Sequence, residues 1–534
     1  FLSMQPQEEL SVADIVQRCK HIFMKSNKLI QAAVAIVAAV SARRGYCWLY
    51  RKYYQIPDGP TGIPFFGCFF QMMRDPRWLI KMTRRYGPIF SVPMFQSYMI
   101  FISDSSVIKQ LFTLKEFQRR HEIKEDDLRR KRFKSIWTVG DDNALPLILL
   151  SDEKWAKRRK HAQATLFRAM TNQYVGTVLA AAIETELVPY LEELSTQNKS
   201  WYPRKLMQYL AFNTLFHTMF GHSIQRDSDL YNEMMTDFDN TFKLTARNSL
   251  AFHFAIFARW KSFIQPVVST RNRRNGNIRK LIQKRIAERD ETKDSENGAT
   301  QKTYIDYTHE LVEQKEMTAD EEIADVYFLF LAGQDTTSST LEMAVVLAAK
   351  YPFIQALVRA ELQTQMKHGF DLKLVHNCPM FRAFVHETLR ISSVAYIGVE
   401  HTTLKDRWIE HQGQRYRIPK NASIFSNVDY IHIYNRDDSN WSEIDGDKIV
   451  LNNWLSDDGR FVMNESFVGF GVGRRDCVGR QLAMKEIQYV LGYLLLRYEV
   501  SLDEEIGDLT DYRKGNFATA FLEPKIGVRV QKIV

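Results

Sequence analysis

The sequence predicts a mainly α protein with a minor β region, and three observations carry that expectation. Apolar residues recur at helical spacing from Arg480 to Leu496. Thr318 and Glu321 form a capping box, after which a long apolar helix runs from Ile323 toward Ala349. Residues between about 205 and 290 are helical in period. Against these helices, Ile89–Met94 and Tyr98–Ile102 read as paired strands. The chain has 534 residues, 45% of them apolar, which suffices for a large core. No repeat and no clear break in composition divides it, so one large unit, residues 57–534, follows an N-terminal extension, residues 1–56.

In chain order, the extension holds an apolar run from Leu29 to Ala42, interrupted only by Gln31 and Ser41. Arg43, Arg44, Arg51 and Lys52 follow, interleaved with Tyr46, Trp48, Tyr50, Tyr53 and Tyr54. The run is shorter than the ~20 residues that span hydrocarbon. With its basic and aromatic flank it reads as a short tilted anchor or a signal-anchor, positive side cytoplasmic, against a signal h-region or an ordinary packed helix. Glu8, Glu9 and Asp14 argue against a mitochondrial presequence, which is poor in acids. Pro57-Asp58-Gly59-Pro60 and the glycines at 62 and 67 break any periodicity and form a stiff linker. Asp75 to Tyr86 reads as a helix with Asp75 as N-cap and Pro76 at its first position. Another begins near Ser151 and carries Trp155 and Arg159 on one face. Leu250 to Trp260 is rich in aromatics, and Glu291 to Lys302 is polar and helix-poor, a surface loop.

The net charge is +9, with basic residues spread and no accompanying nucleic-acid motif, so nucleic acid is not the expected partner. An anionic membrane surface or an acidic protein fits better. Five scattered cysteines, at 19, 47, 68, 378 and 477, fit a reducing compartment without a disulfide framework.

Two segments break local rules. In the middle of the long apolar helix stands Ala332-Gly333-Gln334-Asp335-Thr336-Thr337, where Gly, Asp and Thr are poor choices for a helix interior. Such a conflict marks a functional site. The other is Phe470-Gly-Val-Gly-Arg-Arg-Asp-Cys477-Val-Gly479, one cysteine among glycines at the start of a helix. The helix N-terminus and the charges of Arg474 and Arg475 favour a thiolate there. Gly471, Gly473 and Gly479 let the backbone turn tightly and a flat ligand approach closely.

Phe470, Gly473, Arg475, Cys477 and Gly479 together resemble the haem-ligand loop of the cytochrome P450 family at every fixed position. The resemblance runs from about Pro57 to Val534 and looks most like the microsomal drug- and steroid-metabolising branch. It implies a cytochrome P450 fold, with haem b (iron protoporphyrin IX) held between the Asp335 helix and the Cys477 loop. Cys477 would be the axial thiolate, which pushes electron density toward O–O cleavage. Phe470 would pack beside the sulfur, with Gly471 and Gly479 close to the ring, and Arg475 would meet a propionate. Trp155 and Arg159 match the family's Trp-x-x-x-Arg helix, whose side chains reach propionates. Thr336 would hydrogen-bond the bound dioxygen, and Asp335 would help relay protons to its distal oxygen. The linker at Pro57 is similar to the proline-rich hinge between anchor and catalytic domain, and the region of residues 205–290 would border the substrate entrance and touch the bilayer.

Glu387-Thr-Leu-Arg390 matches the family's structural Glu-x-x-Arg. Its usual third member, an arginine, is replaced by Asn453, and a nearby proline by Leu451. Ser392 and Ser393 replace a proline after Arg390, and Val399-Glu-His401-Thr lacks a common propionate arginine, His401 being the nearest basic residue. We expect Glu387 and Arg390 to form a direct buried pair, supported by Asn453 or a basic neighbour such as His401. The resemblance puts Ala332, Val394, Ala395, Tyr396, Ile397, Phe517 and Ala518 at the substrate pocket, which reads as lipophilic.

The implied reaction is monooxygenation of a lipophilic small molecule at the endoplasmic reticulum membrane, cytoplasmic face, the mitochondrial inner membrane being the alternative. Electrons would come from NADPH through a separate flavoprotein reductase, docked on a basic proximal face with Arg158, Arg474 and Lys485. Two rivals are an isomerase or dehydratase of similar fold that uses a peroxide without a reductase, and a non-catalytic haem- or lipid-binding protein. Asp335 and Thr336 disfavour the first.

Overall fold

The structure is a computed structural model. It describes Gln17 and residues 28–533 except 65, 76, 96, 121–136, 141–143, 170–171, 254–260, 294–301, 437, 439, 443–446 and 516–518.

The first helix, α1 (Lys28–Tyr54), is continuous for 27 residues, so the apolar run and its basic, aromatic flank form one element. From Ile30 to Tyr54 it is long and apolar enough to cross a membrane. The helix thus runs past the apolar run Leu29–Ala42, because the Arg and Tyr residues continue it and do not end it. Its C-terminal turns are docked. The buried Arg51 donates to the carbonyls of Gly59 and Pro60, each at 2.6 Å, and to Ser91 Oγ at 3.0 Å. Tyr50 stacks on Tyr98 at 4.8 Å. The Pro57–Gly67 stretch lies against the first strand, with Ser91 N–H donating to Asp58 O at 2.7 Å. A Cβ on Gly59 would fall 1.9 Å from Ser91 O, so only glycine allows that approach.

A short helix, α2 (Phe69–Arg74), precedes Asp75, and the helix expected from Asp75 to Tyr86 is α3 (Trp78–Tyr86), which starts later. The N-cap of α3 is Arg77; Asp75 sits between the helices and accepts from Arg77 N–H at 3.0 Å and Lys81 Nζ at 2.7 Å. Pro76 lies outside the described residues. Strands β1 (Ile89–Met94) and β2 (Ser97–Ile102) pair antiparallel as expected, Ile89 opposite Ile102.

The helical body follows. It comprises α4 (Ser105–Phe112), α5 (Asp152–Ala169), α6 (Asn172–Ala182), α7 (Val188–Gln197), α8 (Pro203–Phe220), α9 (Asp229–His253) and α10 (Lys261–Lys293). Helix α10 carries the chain to Lys293, so part of the expected loop at 291–302 is helical. Then come α11 (Tyr304–Glu313), α12 (Ala319–Lys350), α13 (Pro352–Gln365) and α14 (Pro379–Ser392). The capping box of Thr318 and Glu321 opens α12, each side chain accepting from the other's backbone N–H. A hairpin of β3 (Arg407–His411) and β4 (Gln414–Ile418) precedes β5 (Ser423–Ser426), which joins β2 in parallel. The chain ends with α15 (Arg480–Arg497), β6 (Tyr498–Leu502), α16 (Leu509–Tyr512), β7 (Arg513–Gly515), β8 (Ala520–Leu522) and β9 (Val528–Lys532). Strands β6 and β9 pair antiparallel, as do β7 and β8.

Helix α12 is the axis of the molecule, lying against α8 along much of its length and touching α10, α14 and α15. Phe330 on α12 is fully buried between Phe212 of α8, at 5.2 Å, and Phe220, at 6.1 Å. Truncating such a ring costs about 3–5 kcal/mol. This packing fixes the position of residues 332–337 relative to everything below them.

Candidate active site

The loop before α15 turns on Gly471 (φ +76°) and Gly473 (φ +75°), a conformation that favours glycine. At Gly473 a Cβ would lie 2.3 Å from Phe112 O, so the loop passes under the end of α4 only without a side chain. Cys477 N–H closes the loop by donating to Phe470 O at 2.8 Å, and Gly479 is the N-cap of α15. Cys477 is exposed, unlike the buried Cys47, Cys68 and Cys378. It opens on a recess of about 1390 Å³ between α5 and α15, walled by Trp155, Arg159, Val478 and Met484 among others. The protein mass around the sulfur pushes its thiol up, while the Gly479 N–H and the charges of Arg159 and Arg480 pull it down against Asp476. The expected helpers were Arg474 and Arg475. Arg475 instead turns away, donating to Leu150 O at 2.9 Å with its guanidinium 4.5 Å from the Trp155 ring centre. Phe470 carries the Arg480 guanidinium at 5.4 Å.

Around Arg475 positive charge outweighs acid: Arg120 and Arg159 act on it against Asp152. Arg475 is pushed down to about 8 by burial, Arg120 and Arg159. Arg120, buried, is pushed to about 10 by its burial and gives its donors to the carbonyls of Ile148 and Glu400. Arg159 donates to Asp476 O and Oδ1, at 2.6 and 2.7 Å, and its Nε is buried without a partner. His401 is buried, donates through Nδ1–H to Phe117 O at 2.7 Å and stacks on Phe112 at 3.8 Å. Burial, Arg120 and Arg475 hold its imidazole well below the usual range. Sequence reasoning missed Arg120, because a pair of arginines after Phe117 carries no spacing signal and the partners lie far away in the chain. A flat group bearing two carboxylates, with a metal over Cys477, fits this set: a sulfur, an orphaned guanidinium nitrogen and a surplus of buried cations.

On α12, Ala332, Gly333 and Thr336 are half-buried in a stretch where Phe330, Leu331, Gln334, Asp335 and Thr337 are buried. A Cβ on Gly333 would meet Leu215 Cδ1 at 2.7 Å, so glycine brings α8 close. Thr336 Oγ1 donates to Ala332 O at 2.8 Å. Asp335 is buried and points elsewhere, Oδ1 accepting from Arg204 Nη2 at 2.9 Å and Oδ2 held by Thr519 Oγ1. The acid and the alcohol are thus neighbours in sequence that face different surroundings. Glu486 of α15, also unforeseen, is buried against Thr337; its burial pushes the carboxyl well above its ordinary value, and its Oε1 has no partner. Val394 is buried, and Ala395, Tyr396 and Ile397 are half-buried, with Val394 O tied to Ala520 N–H at 2.8 Å. Phe517 and Ala518, like most of the aromatic stretch Leu250–Trp260, lie outside what the structure describes of side chains.

Glu387 and Arg390 form a fully buried bidentate pair at 2.9 and 2.8 Å, each side chain 0% exposed. Glu387 also accepts from Val450 N–H at 2.9 Å, Trp454 Nε1 at 2.7 Å and, weakly, Asn453 Nδ2 at 3.5 Å. His401 takes no part. Trp454 and a backbone amide stand in for the missing arginine, and a sequence motif cannot show a substitution by backbone. Arg158 is corrected too. It is buried, paired with Asp325 and with Glu321 at 2.9 Å, and presents no docking charge. Arg474 is exposed, and Lys485 lines the recess.

The family model described as Cytochrome P450 matches residues 57–528. Among curated relatives, a probable cytochrome P450 508C1 of Dictyostelium discoideum is 24% identical over 475 residues, covering 84% of this chain and 88% of its own length. Cytochrome P450 2L1 of Panulirus argus is 25% identical over 462 residues, with coverage of 84% and 89%. Carnosic acid synthase of Rosmarinus officinalis is 24% identical over 495 residues, with coverage of 90% and 93%.

Proposed function

The chain belongs to the cytochrome P450 family and is a haem-thiolate monooxygenase, and on that premise we propose that it hydroxylates a lipophilic small molecule with electrons from an NADPH-dependent flavoprotein reductase. The observation that carries this reading is the exposed Cys477 sulfur beside a buried surplus of guanidinium charge. When bound, haem supplies the oxygen chemistry: dioxygen, two electrons and two protons give one hydroxylated product and one water.

The chain's own residues do the rest. Cys477 Sγ would hold the metal, and Gly479 N–H, Arg159 and Arg480 favour the thiolate form that would do so. Arg120, Arg159, Arg475 and His401, with Trp155 beneath Arg475, hold the propionate edge and fix the ring's orientation. Thr336 Oγ1, anchored on Ala332 O, presents a hydroxyl toward the distal side and donates a hydrogen bond there on turning over. Asp335 relays protons inward from Oδ1 and Oδ2, which its partners Arg204 and Thr519 must release. Ala332, Val394, Ala395, Tyr396 and Ile397 exclude water and seat an apolar substrate. Helix α1 anchors the protein at the endoplasmic reticulum membrane with the catalytic body on the cytoplasmic face. Arg474 and Lys485, beside the recess behind Cys477, form the basic face for the reductase.

The test is spectroscopic and then catalytic. Cys477→His should move the Soret band of the ferrous carbonyl complex from the thiolate to the histidine position, and an unchanged band sinks the assignment. Purified protein with reductase should consume NADPH faster when sterols, fatty acids or xenobiotics from a panel are added. Turnover of a lipid peroxide without reductase, and no NADPH consumption, would favour the isomerase reading.

A further inference from the structure

Asp335, Ser339 and Glu342 lie four and seven residues apart, on one face of α12, and meet a single cation. Arg204, in the first turn of α8, gives Nη2 to Asp335 Oδ1 at 2.9 Å. Its Nη1 reaches Glu342 Oε2 at 3.3 Å and also Ser339 Oγ. The end of the β7–β8 hairpin closes over both acids: Thr519 Oγ1 binds Asp335 Oδ2, the Leu522 N–H donates to Glu342, and the Phe521 ring lies 5.5 Å from the Arg204 guanidinium. The two carboxyl side chains are 8% and 3% exposed, that of Arg204 16%.

Two buried acids therefore share one guanidinium. Asp239 of α9 also interacts with Asp335 and Arg204, and its own cation Lys243 acts on it, so α9 adds a further acid and does not relieve the excess. A buried pair of carboxylates with one cation titrates as a unit and takes up a proton more readily than either acid alone. Glu342 has the longer contact and the deeper site, so it takes that proton: burial pushes its carboxyl up to about 7, with Arg204 pulling down and Asp335 pushing up. A simple brace between α8 and α12 would need one acid, and Asp335 already supplies it.

We propose that Glu342 is a positioning residue for Asp335: by competing for Arg204 it decides whether the Asp335 carboxylate is held fast or freed to carry a proton. The proposal rests on the reading of Asp335 as the proton relay. Below about pH 7 Glu342 is neutral and Arg204 belongs to Asp335. Above it, the guanidinium is divided between two carboxylates, and its hold on Asp335 loosens. Proton delivery then improves as pH rises through neutrality.

The experiment uses the haem-loaded full chain. Infrared spectra titrated from about pH 6 to 8 should show a protonated carboxyl band that fades with rising pH and is missing from Glu342→Gln. The same band in Glu342→Gln overturns the proposal. With reductase, NADPH and no added substrate, peroxide formed per NADPH should fall about threefold across that pH range as Arg204 loosens its hold on Asp335. In Glu342→Gln it should stay at the wild-type low-pH value. Arg204→Lys, which can serve only one acid, should flatten the profile too. If Asp335→Asn changes the peroxide ratio but Glu342→Gln keeps the wild-type profile, the proposal falls while the relay stands. If Asp335→Asn changes nothing, relay and proposal fall together.

Discussion

The Glu387–Arg390 pair and the cluster of Arg120, Arg159, Arg475 and His401 both bury arginine, and they do it in opposite ways. In the pair, the carboxylate meets Arg390, Trp454 and Val450, and the remaining Arg390 donors meet His432 O and Lys448 O at 2.7 and 3.1 Å. Charge and hydrogen bonds close on themselves. In the cluster, Arg120 and Arg475 give their donors to backbone carbonyls, Arg159 alone meets a carboxylate, that of Asp476, and Arg475 is driven down to about 8. A locally balanced buried charge holds the scaffold; an excess of one sign favours a bound counter-charge.

The largest expected effect comes from unbalancing the closed site. Glu387→Ala leaves Arg390 buried and unpaired, at a cost of about 3–5 kcal/mol, and haem incorporation should be lost. A wild-type haem content and unfolding midpoint would end the distinction drawn above. Arg158→Gln tests a second closed site: unfolding should be easier by about 3 kcal/mol with the KM for reductase unchanged. A raised reductase KM at full stability would return Arg158 to the docking face.

In the open cluster the sign reverses. Arg475→Met should stabilise the haem-free chain by about 1–2 kcal/mol, by removing a buried unpaired charge, yet speed haem loss to an acceptor protein. The pH dependence follows from the same shift. Folded Arg475 releases its proton near 8, while in the unfolded chain it stays protonated to the ordinary arginine range. The unfolded state therefore binds more protons above about pH 8, and the haem-free chain should gain stability as pH rises there. Melting curves of haem-free wild type and Arg475→Met at rising pH check this; parallel profiles would contradict it. The smallest structural effect is expected at Thr336, whose hydroxyl bonds only its own helix. Thr336→Ala should move stability by no more than about 0.5 kcal/mol and keep its haem, but divert NADPH to peroxide. Product formed per NADPH equal to wild type would remove Thr336 from proton delivery.

Local pattern was enough for much of the architecture. The capping box at Thr318, the apolar period of α12 and α15, the pairing of β1 with β2 and the glycine-framed Cys477 are all written in residues close together in the chain, where propensity and spacing act. The family resemblance needed nothing more, and the proposal of Cys477 as the sulfur ligand starts from the same loop. Charge partners are different, because a buried charge is settled by whatever lies within a few ångströms, at any distance along the chain. So Arg158 looked like a surface cation and proved to be locked to Asp325, while Arg120 went unnoticed and proved to belong with Arg475, 355 positions later by numbering. Asp335 read as a free acid beside its threonine, and packing of α8 and β8 against α12 gave it Arg204 and a competitor in Glu342. Asn453 read as a missing charge, and folding filled the place with an indole and a backbone amide. The physical reason is one of range: hydrophobic period and backbone preference are properties of neighbours in sequence, whereas desolvation makes every buried charge depend on neighbours in space.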